Sequence, residues 1–131
     1  MRFAQLLPGL ALVALATPLP ALAQAASSVE AEIVIAASVQ DREPVDPGTS
    51  FPADIGKVTA WTRVTGAANT TIEHVWKHGD LEFVVPLEIG GSPWRTWSTK
   101  NIPPEWAGEW TVEVRDANGT VVASATFTVG G

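Results

Sequence analysis

Residues 94–114 have the sequence WRTWSTKNIPPEWAGEWTVEV, which decides the fold class of the chain. The stretch holds four of the six tryptophans, and from Gly108 onward polar and apolar side chains alternate strictly. Such alternation is typical of a β-strand with one buried face, and it points Trp110, Val112 and Val114 inward. The stretch therefore predicts a β architecture and, through its tryptophans, marks a candidate surface site.

The same two-residue period recurs through the rest of the chain. It predicts strands at Val29–Gln40, Val58–Val64, Thr70–Lys77, Leu81–Ile89, Gly108–Arg115 and Thr120–Val129, with a short extended piece at Trp94–Thr99. Turn sequences at His78–Asp80 and Asp116–Gly119 separate neighbouring strands. Pro86 cannot donate a backbone hydrogen bond, so its strand is expected at a sheet edge. We predict an all-β fold, an immunoglobulin- or fibronectin-like antiparallel β-sandwich of about seven strands.

One long segment lacks the strand pattern. The segment Asp41–Gly56 contains Pro44, Pro47, Pro52 and Gly48, a composition that is typical of loops. We predict a proline-stiffened loop here that crosses between the two sheets.

The N-terminus has the composition of an export signal. Arg2 gives a positive start, Leu6–Ala16 is apolar, and Ala21-Leu22-Ala23 is a small-x-small cleavage sequence. We predict a cleavable signal peptide over residues 1–23, a short flexible leader over 24–28 and a β-sandwich domain over 29–131. The apolar run is shorter than the roughly 20 residues of a bilayer-spanning helix, so we expect a periplasmic or secreted chain without stable membrane insertion.

Composition excludes several classes of function. The chain has no cysteine, which rules out disulfides, thiol catalysis and thiolate metal sites. Its formal net charge of −6 argues against a nucleic-acid partner, for which a basic face is expected. His74 and His78 lie on one strand, roughly 13 Å apart, too far to share a metal ion. We expect no metal and no cofactor.

Catalytic constellations are equally weak. Ser98, His74 and Asp80 are triad residue types, but nothing in the sequence places them together, and we expect His74 to be half-buried in the core. Glu105 and Glu109 are more easily explained as solvated acids than as a glycosidase pair. We predict that the protein is not an enzyme, with a small hydrolase as a distant alternative.

Several motifs together carry a family resemblance. They are Asp41-Arg42-Glu43-Pro44-Val45, His74-Val75-Trp76 and Trp94–Lys100, continued by Pro104, Gly108, Trp110 and Val112. With them the chain, from about Ile33 to Phe127, resembles a bacterial family known as domain of unknown function 2914 (DUF2914). The resemblance implies an exported or membrane-tethered bacterial domain, and it implies no activity.

The candidate binding residues are Trp94, Arg95, Trp97, Lys100 and Trp106. In a flat strand the first two tryptophans point to opposite faces, whereas in a polyproline-like extension, which the neighbouring prolines favour, they align. Aligned indoles predict either an exposed platform, which Trp61 would extend, or a structural ladder. In the ladder the indoles hold a guanidinium from Arg63 or Arg115 and seal one sheet face.

From these observations we predict a non-catalytic exported binding or accessory module that recognises a protein partner in the bacterial cell envelope. The alternative is a carbohydrate- or peptidoglycan-binding module that stacks sugar rings on its tryptophan platform. Both hypotheses use the same five residues. They differ in how openly the indole faces meet solvent.

Overall fold

The computed structural model describes residues 27–130, which form two β-sheets and one short 3-10 helix at Pro104–Trp106. The strands are β1 (Glu30–Gln40), β2 (Glu43–Pro47), β3 (Ser50–Phe51), β4 (Gly56–Thr65), β5 (Thr70–His78), β6 (Leu81–Ile89), β7 (Trp94–Ile102), β8 (Gly108–Arg115) and β9 (Val121–Val129). The all-β class is confirmed. The predicted signal peptide and most of the leader lie outside the described residues. No helix within residues 27–130 combines the length and the apolar character of a membrane span.

The strands divide into a four-stranded sheet, β2-β1-β4-β7, and a five-stranded sheet, β3-β9-β8-β5-β6. The predicted edge position of the proline-bearing strand is confirmed, because β6 pairs only with β5. The count of about seven strands is too low, since nine are present between residues 27 and 130. The sheets are also not wholly antiparallel, because β3 runs parallel to β9.

Both additional strands come from the segment predicted as a loop. β2 is joined to β1 by a two-residue turn, in which Asp41 and Arg42 both have positive φ. Prolines are tolerated in β2 because it is an edge strand whose missing N–H groups are not needed. β3 then pairs with β9 of the other sheet, so the segment does cross between the sheets, as predicted.

The two sheets share one apolar core. Fully buried Trp76 and Trp110 of the five-stranded sheet meet edge to face, with ring centroids 6.5 Å apart. Ile35, Val58 and Ala60 of the four-stranded sheet belong to the same cluster. Trp110 lies on the inward face of β8, as the alternation predicted, and Trp76 lies on the inward face of β5.

The β8–β9 hairpin closes on the predicted Asp116–Gly119 turn. Asp116 Oδ1 accepts hydrogen bonds from the backbone N–H groups of Asn118 and Thr120, both at 2.9 Å. Its Oδ2 accepts the hydroxyl of Ser27 at 2.7 Å. The Ser27 contact is the main cause that lowers the pKa of Asp116, with the two backbone donors adding to it. The carboxylate thus fixes both the turn and the start of the described chain.

Candidate functional site

Strand β7 carries four of the five predicted binding residues, and its geometry separates them. It pairs with β4 in regular antiparallel register from Ile102 opposite Gly56 to Trp94 opposite Val64. The polyproline-like geometry is therefore wrong, and Trp94 and Trp97 lie on opposite faces of the strand. Register with β4 places Arg95 and Trp97 on the outer face of the four-stranded sheet.

Trp94 lies at the end of the strand, on the side that faces the core. Its ring packs against the smaller core cluster around Val64 and covers Gly90, where a Cβ would come within 2.8 Å of the indole. The guanidinium carbon of Arg42 lies 6.0 Å from the Trp94 ring centroid. Arg42 thus contacts a single indole, whereas the ladder hypothesis placed Arg63 or Arg115 between aligned indoles.

Lys100 and Trp106 form a separate group at the open edge between β6 and β7. Lys100 Nζ lies 4.0 Å from the ring centroid of Phe83 and 5.0 Å from that of Trp106. The Trp106 carbonyl accepts the indole N–H of Trp110 at 2.9 Å. These contacts join both predicted site residues to the core aromatics rather than to Arg95 and Trp97.

The hairpin of β1 and β2 folds back over the outer face of the four-stranded sheet. Ala36 is the last β1 residue that pairs with β4, and a straight strand would carry Arg42 roughly 20 Å beyond it. Instead, the Trp61 indole N–H donates to the Arg42 carbonyl at 2.9 Å. The bend explains why Trp61, which points outward from β4, is only 5% exposed.

The folded-back hairpin leaves a groove of about 700 Å³ beside it. Val34 and Trp61 lie at its base, in register on β1 and β4. Arg42, Glu43 and Pro44 form one wall. The remaining lining residues are Glu32, Arg63, Pro93, Trp94 and Arg95. We call this the hairpin groove.

The charges of the hairpin groove are unevenly paired. Glu32, Arg63 and Arg95 form one row across β1, β4 and β7, so the two arginines are directly opposite each other. Arg95 makes an ion pair with Glu43 of the hairpin tip. Among the described residues, Arg42 and Arg63 have no ion pair within 4.0 Å. Like charges directly opposite each other on one sheet face are destabilising, so the Arg63–Arg95 pair lowers the free energy of unfolding.

Sequence reasoning found part of this groove and missed its cationic half. It selected Arg95 and Trp94, which line the groove, and Trp97, which lies on the same outer face but does not line it, and it named the lining residue Trp61 as an extension. It did not select Arg42, Arg63 or Glu43 as site residues. The available signal was the Asp41–Val45 motif, which was recognised as part of the family resemblance but interpreted as a loop.

A second polar group lies between the sheets and is closed to solvent. His74 is 0% exposed, so the expectation of half-burial is wrong. Its Nδ1 lies 2.6 Å from Ser98 Oγ, and its Nε2 lies 3.2 Å from Thr62 Oγ1. Folding thus brings Ser98 and His74 together, although no carboxylate takes part, and Asp80 lies in the exposed β5–β6 turn.

The hydrogen bonds of this group assign the proton of His74. The Thr62 hydroxyl donates to the Thr96 carbonyl at 2.8 Å, so its oxygen is free to accept from Nε2–H of His74. Ser98 Oγ accepts the Trp76 indole N–H at 3.0 Å and donates to Nδ1. Every donor has an acceptor in the neutral state. Burial lowers the pKa of His74 from 6.5 to about 4, which keeps it neutral.

Within residues 27–130, no three His, Asp or Glu side chains come close enough together to hold a metal ion. The candidate site is the hairpin groove, whose lining combines indoles and guanidiniums. Such a surface can bind a partner through charge-assisted hydrogen bonds and aromatic contact.

Comparison with known proteins supports the family resemblance over residues 69–129. The model of a family described as "Protein of unknown function (DUF2914)" matches residues 69–129. The match includes the Trp94–Lys100 motif and begins after the Asp41–Val45 motif. No curated protein sequence matches the chain.

Among solved structures, a Bifidobacterium adolescentis GH3 beta-glucosidase is similar, with a TM-score of 0.37 and 17% sequence identity. The likeness covers 79% of this chain and 17% of that chain. The chain therefore spans less than a fifth of that enzyme's length, and a likeness of this size carries no argument about activity.

Proposed function

We propose that this protein is a non-catalytic binding or accessory module that recognises a protein partner in the bacterial cell envelope through the hairpin groove. The observation that carries the proposal is the pair of guanidiniums, Arg42 and Arg63, which make no ion pair within residues 27–130 and line the groove together with Trp61 and Trp94. In this proposal the chain is exported by residues 1–23 and acts in the periplasm or outside the cell. The domain is an immunoglobulin- or fibronectin-like sandwich.

The exposure of the indoles favours a protein partner over a glycan. Sugar rings stack on open aromatic faces. Trp61 is almost fully covered by the hairpin, Trp97 is half-buried, and Trp94 lies on the opposite face of β7. No open, aligned pair of indoles is available on the outer face. Carbohydrate or peptidoglycan binding therefore stays the second candidate.

The free edge of β7 adds a second route to protein recognition. Among the described strands β7 pairs only with β4, so one side of its backbone has no strand partner. An extended segment of another protein can add to such an edge through main-chain hydrogen bonds. Arg95 and Trp97 would then lie beside the side chains of the added strand.

The interior polar group supports a non-catalytic role. Its His–Ser contact resembles part of a hydrolase site, but both residues are buried and the ring nitrogen facing away from Ser98 meets Thr62 instead of a carboxylate. A substrate would have to separate the two sheets to reach Ser98. The pair instead satisfies the Trp76 indole inside the core.

Affinity capture from an envelope extract tests the proposal. Wild type and Lys57→Gln, which removes a positive charge elsewhere on β4, should retain the same defined protein. Arg63→Gln and Trp97→Ala should lose it while keeping the wild-type circular dichroism spectrum. The captured protein is then purified and its Kd measured for each variant. Equal Kd values for all four proteins would reject the hairpin groove as the contact site.

A further inference from the structure

Arg63 and Arg95 are only partly compensated by acids of the described chain, because Glu43 pairs with Arg95 while Glu32, opposite Arg63 on β1, makes no ion pair with it within 4.0 Å. The backbones of the two arginines are directly opposite each other on neighbouring strands, and Cβ atoms in such pairs are about 5 Å apart. Repulsion between them lowers stability, and the chain as a whole has a net charge of −6 that could have supplied more acids here. Three of the four arginines in residues 27–130 nevertheless line this one groove. An anion from outside the chain would remove the repulsion.

Glu43 shows which anion the groove accepts. Its carboxylate, carried by the hairpin tip, makes an ion pair with Arg95 from the far side of the sheet. The pair is partly open to water, with 38% of the Arg95 side chain and 56% of the Glu43 side chain exposed. An exposed ion pair of this kind contributes little to stability and can be exchanged for another carboxylate.

We infer that the hairpin groove binds the carboxylate side chains of an extended acidic segment of the partner, with Arg63 and Arg42 as its ligands and Glu43 as an internal competitor for Arg95. This inference deepens the proposed function and rests on it. A guanidinium matches a carboxylate through two parallel hydrogen bonds, which gives direction as well as charge.

We expect the segment to be extended because the free edge of β7 can accept an additional strand. A strand added along β7 presents every second side chain on the outer face, about 7 Å apart. Those side chains lie next to Arg95 and Trp97, and Arg63 is one strand further in. Acidic side chains on that face would therefore approach the groove from the β7 edge, reaching Arg95 first and Arg63 one strand beyond it.

Selection from a displayed library of random peptides tests the inference with wild-type protein. We expect the enriched peptides to carry Asp or Glu at alternate positions, and their affinity to fall as salt rises. Replacing those acids with Asn or Gln should weaken binding by about tenfold or more, the range for a charge-assisted hydrogen bond. Enriched peptides without acids, or with affinities that survive the replacement, would overturn the inference.

Protein variants assign the ligands. For an enriched acidic peptide, Arg63→Gln should raise Kd by about tenfold or more, and Glu43→Gln should lower it, because Arg95 is freed. Lys57→Gln is the charge-matched control and should leave Kd within about twofold. A Kd unchanged by Arg63→Gln overturns the inference even when the peptide binds.

The outcomes also separate this inference from the proposed function. If the envelope protein is captured through Trp97 but its contact segment has no acids, the proposed function stands and the acidic-segment inference is overturned. If a polyuronate binds in an Arg63-dependent manner and no peptide is enriched, both are overturned in favour of an acidic glycan.

Discussion

The outer faces of the two sheets differ in how their charges are arranged. On the five-stranded sheet the Glu113 carboxylate lies 3.2 Å from Lys77 Nζ and 2.7 Å from Arg115 Nη2. On the four-stranded sheet Arg63 lies directly opposite Arg95. On the first face both Lys77 and Arg115 have a carboxylate partner within the chain. Hydrogen bonding to Arg115 is the largest cause that lowers the pKa of Glu113, and Lys77 adds to it. On the second face Arg95 is paired with Glu43, but Arg63 and Arg42 make no ion pair within residues 27–130, which is why we propose that face for recognition.

Both outer faces belong to sheets that share one apolar core. The largest expected effect comes from substituting a tryptophan in that core. Trp76→Ala removes a fully buried indole and should lower the free energy of unfolding by about 3–5 kcal/mol. Trp97→Ala, on the outer face, is the matched variant and should lower the free energy of unfolding clearly less. Denaturant titration measures both. Equal losses would show that the outer face is as much a part of the core as the interior.

The buried His74 should make the interior, rather than either face, the source of pH-dependent stability near neutrality. Its pKa is 6.5 when exposed and about 4 in the fold, so the unfolded chain binds an extra proton between those values. The contribution of neutral His74 to the free energy of unfolding is fully present above pH 6.5, and about 3 kcal/mol of it should be lost as the pH drops toward 4.

Denaturant titrations of wild type and His74→Gln across this pH range check that slope. The variant cannot gain the proton, so its slope between pH 6.5 and 4 should be smaller by the His74 contribution. Carboxylates such as Glu113 affect both proteins alike. Parallel curves for the two proteins would contradict a neutral, buried imidazole.

The folded-back hairpin, which has no counterpart on the five-stranded sheet, can be released by one substitution. Trp61→Phe removes the indole N–H and leaves the Arg42 carbonyl without its donor. We expect a loss of about 1–2 kcal/mol and faster amide hydrogen exchange at Gln40–Glu43. Unchanged exchange there would mean that other contacts hold the hairpin against the sheet.

The smallest effects compare the charges of the two faces directly. Arg63→Gln removes one of two opposed like charges and should leave the free energy of unfolding unchanged or raise it by up to about 1 kcal/mol. Glu113→Gln leaves Lys77 and Arg115 without their acid and should lower it, on the order of 0.5 kcal/mol. Thermal unfolding of both variants at low salt is the measurement. Opposite signs support the comparison, and a loss on both faces contradicts it.

Much of the fold was predictable because period-two hydrophobicity depends only on local sequence. The inward positions of Trp110, Val112 and Val114 and the edge position of β6 are confirmed. The Asp41–Gly56 segment was not predictable in this way. Its strands are short, prolines interrupt them, and β3 exists only through pairing with β9, which is distant in sequence.

The candidate site was predicted only in part because it depends on a bend. Nothing local in the sequence of β1 indicates that the strand leaves β4 after Ala36 and brings Arg42 over Trp61. The same holds for Ser98 and His74, which meet across two sheets. Arg63 and Arg95 are neighbours only once the register of β4 and β7 is known.

The turn at the hairpin tip has a consequence for directed evolution. Arg42 has a φ of 66°, a backbone region where side chains cost energy and glycine does not. A population selected only for heat resistance should therefore drift to glycine at this position. A population selected for binding to the proposed acidic segment should keep the arginine. Sequencing the two lineages would show whether the strained residue is tolerated or required.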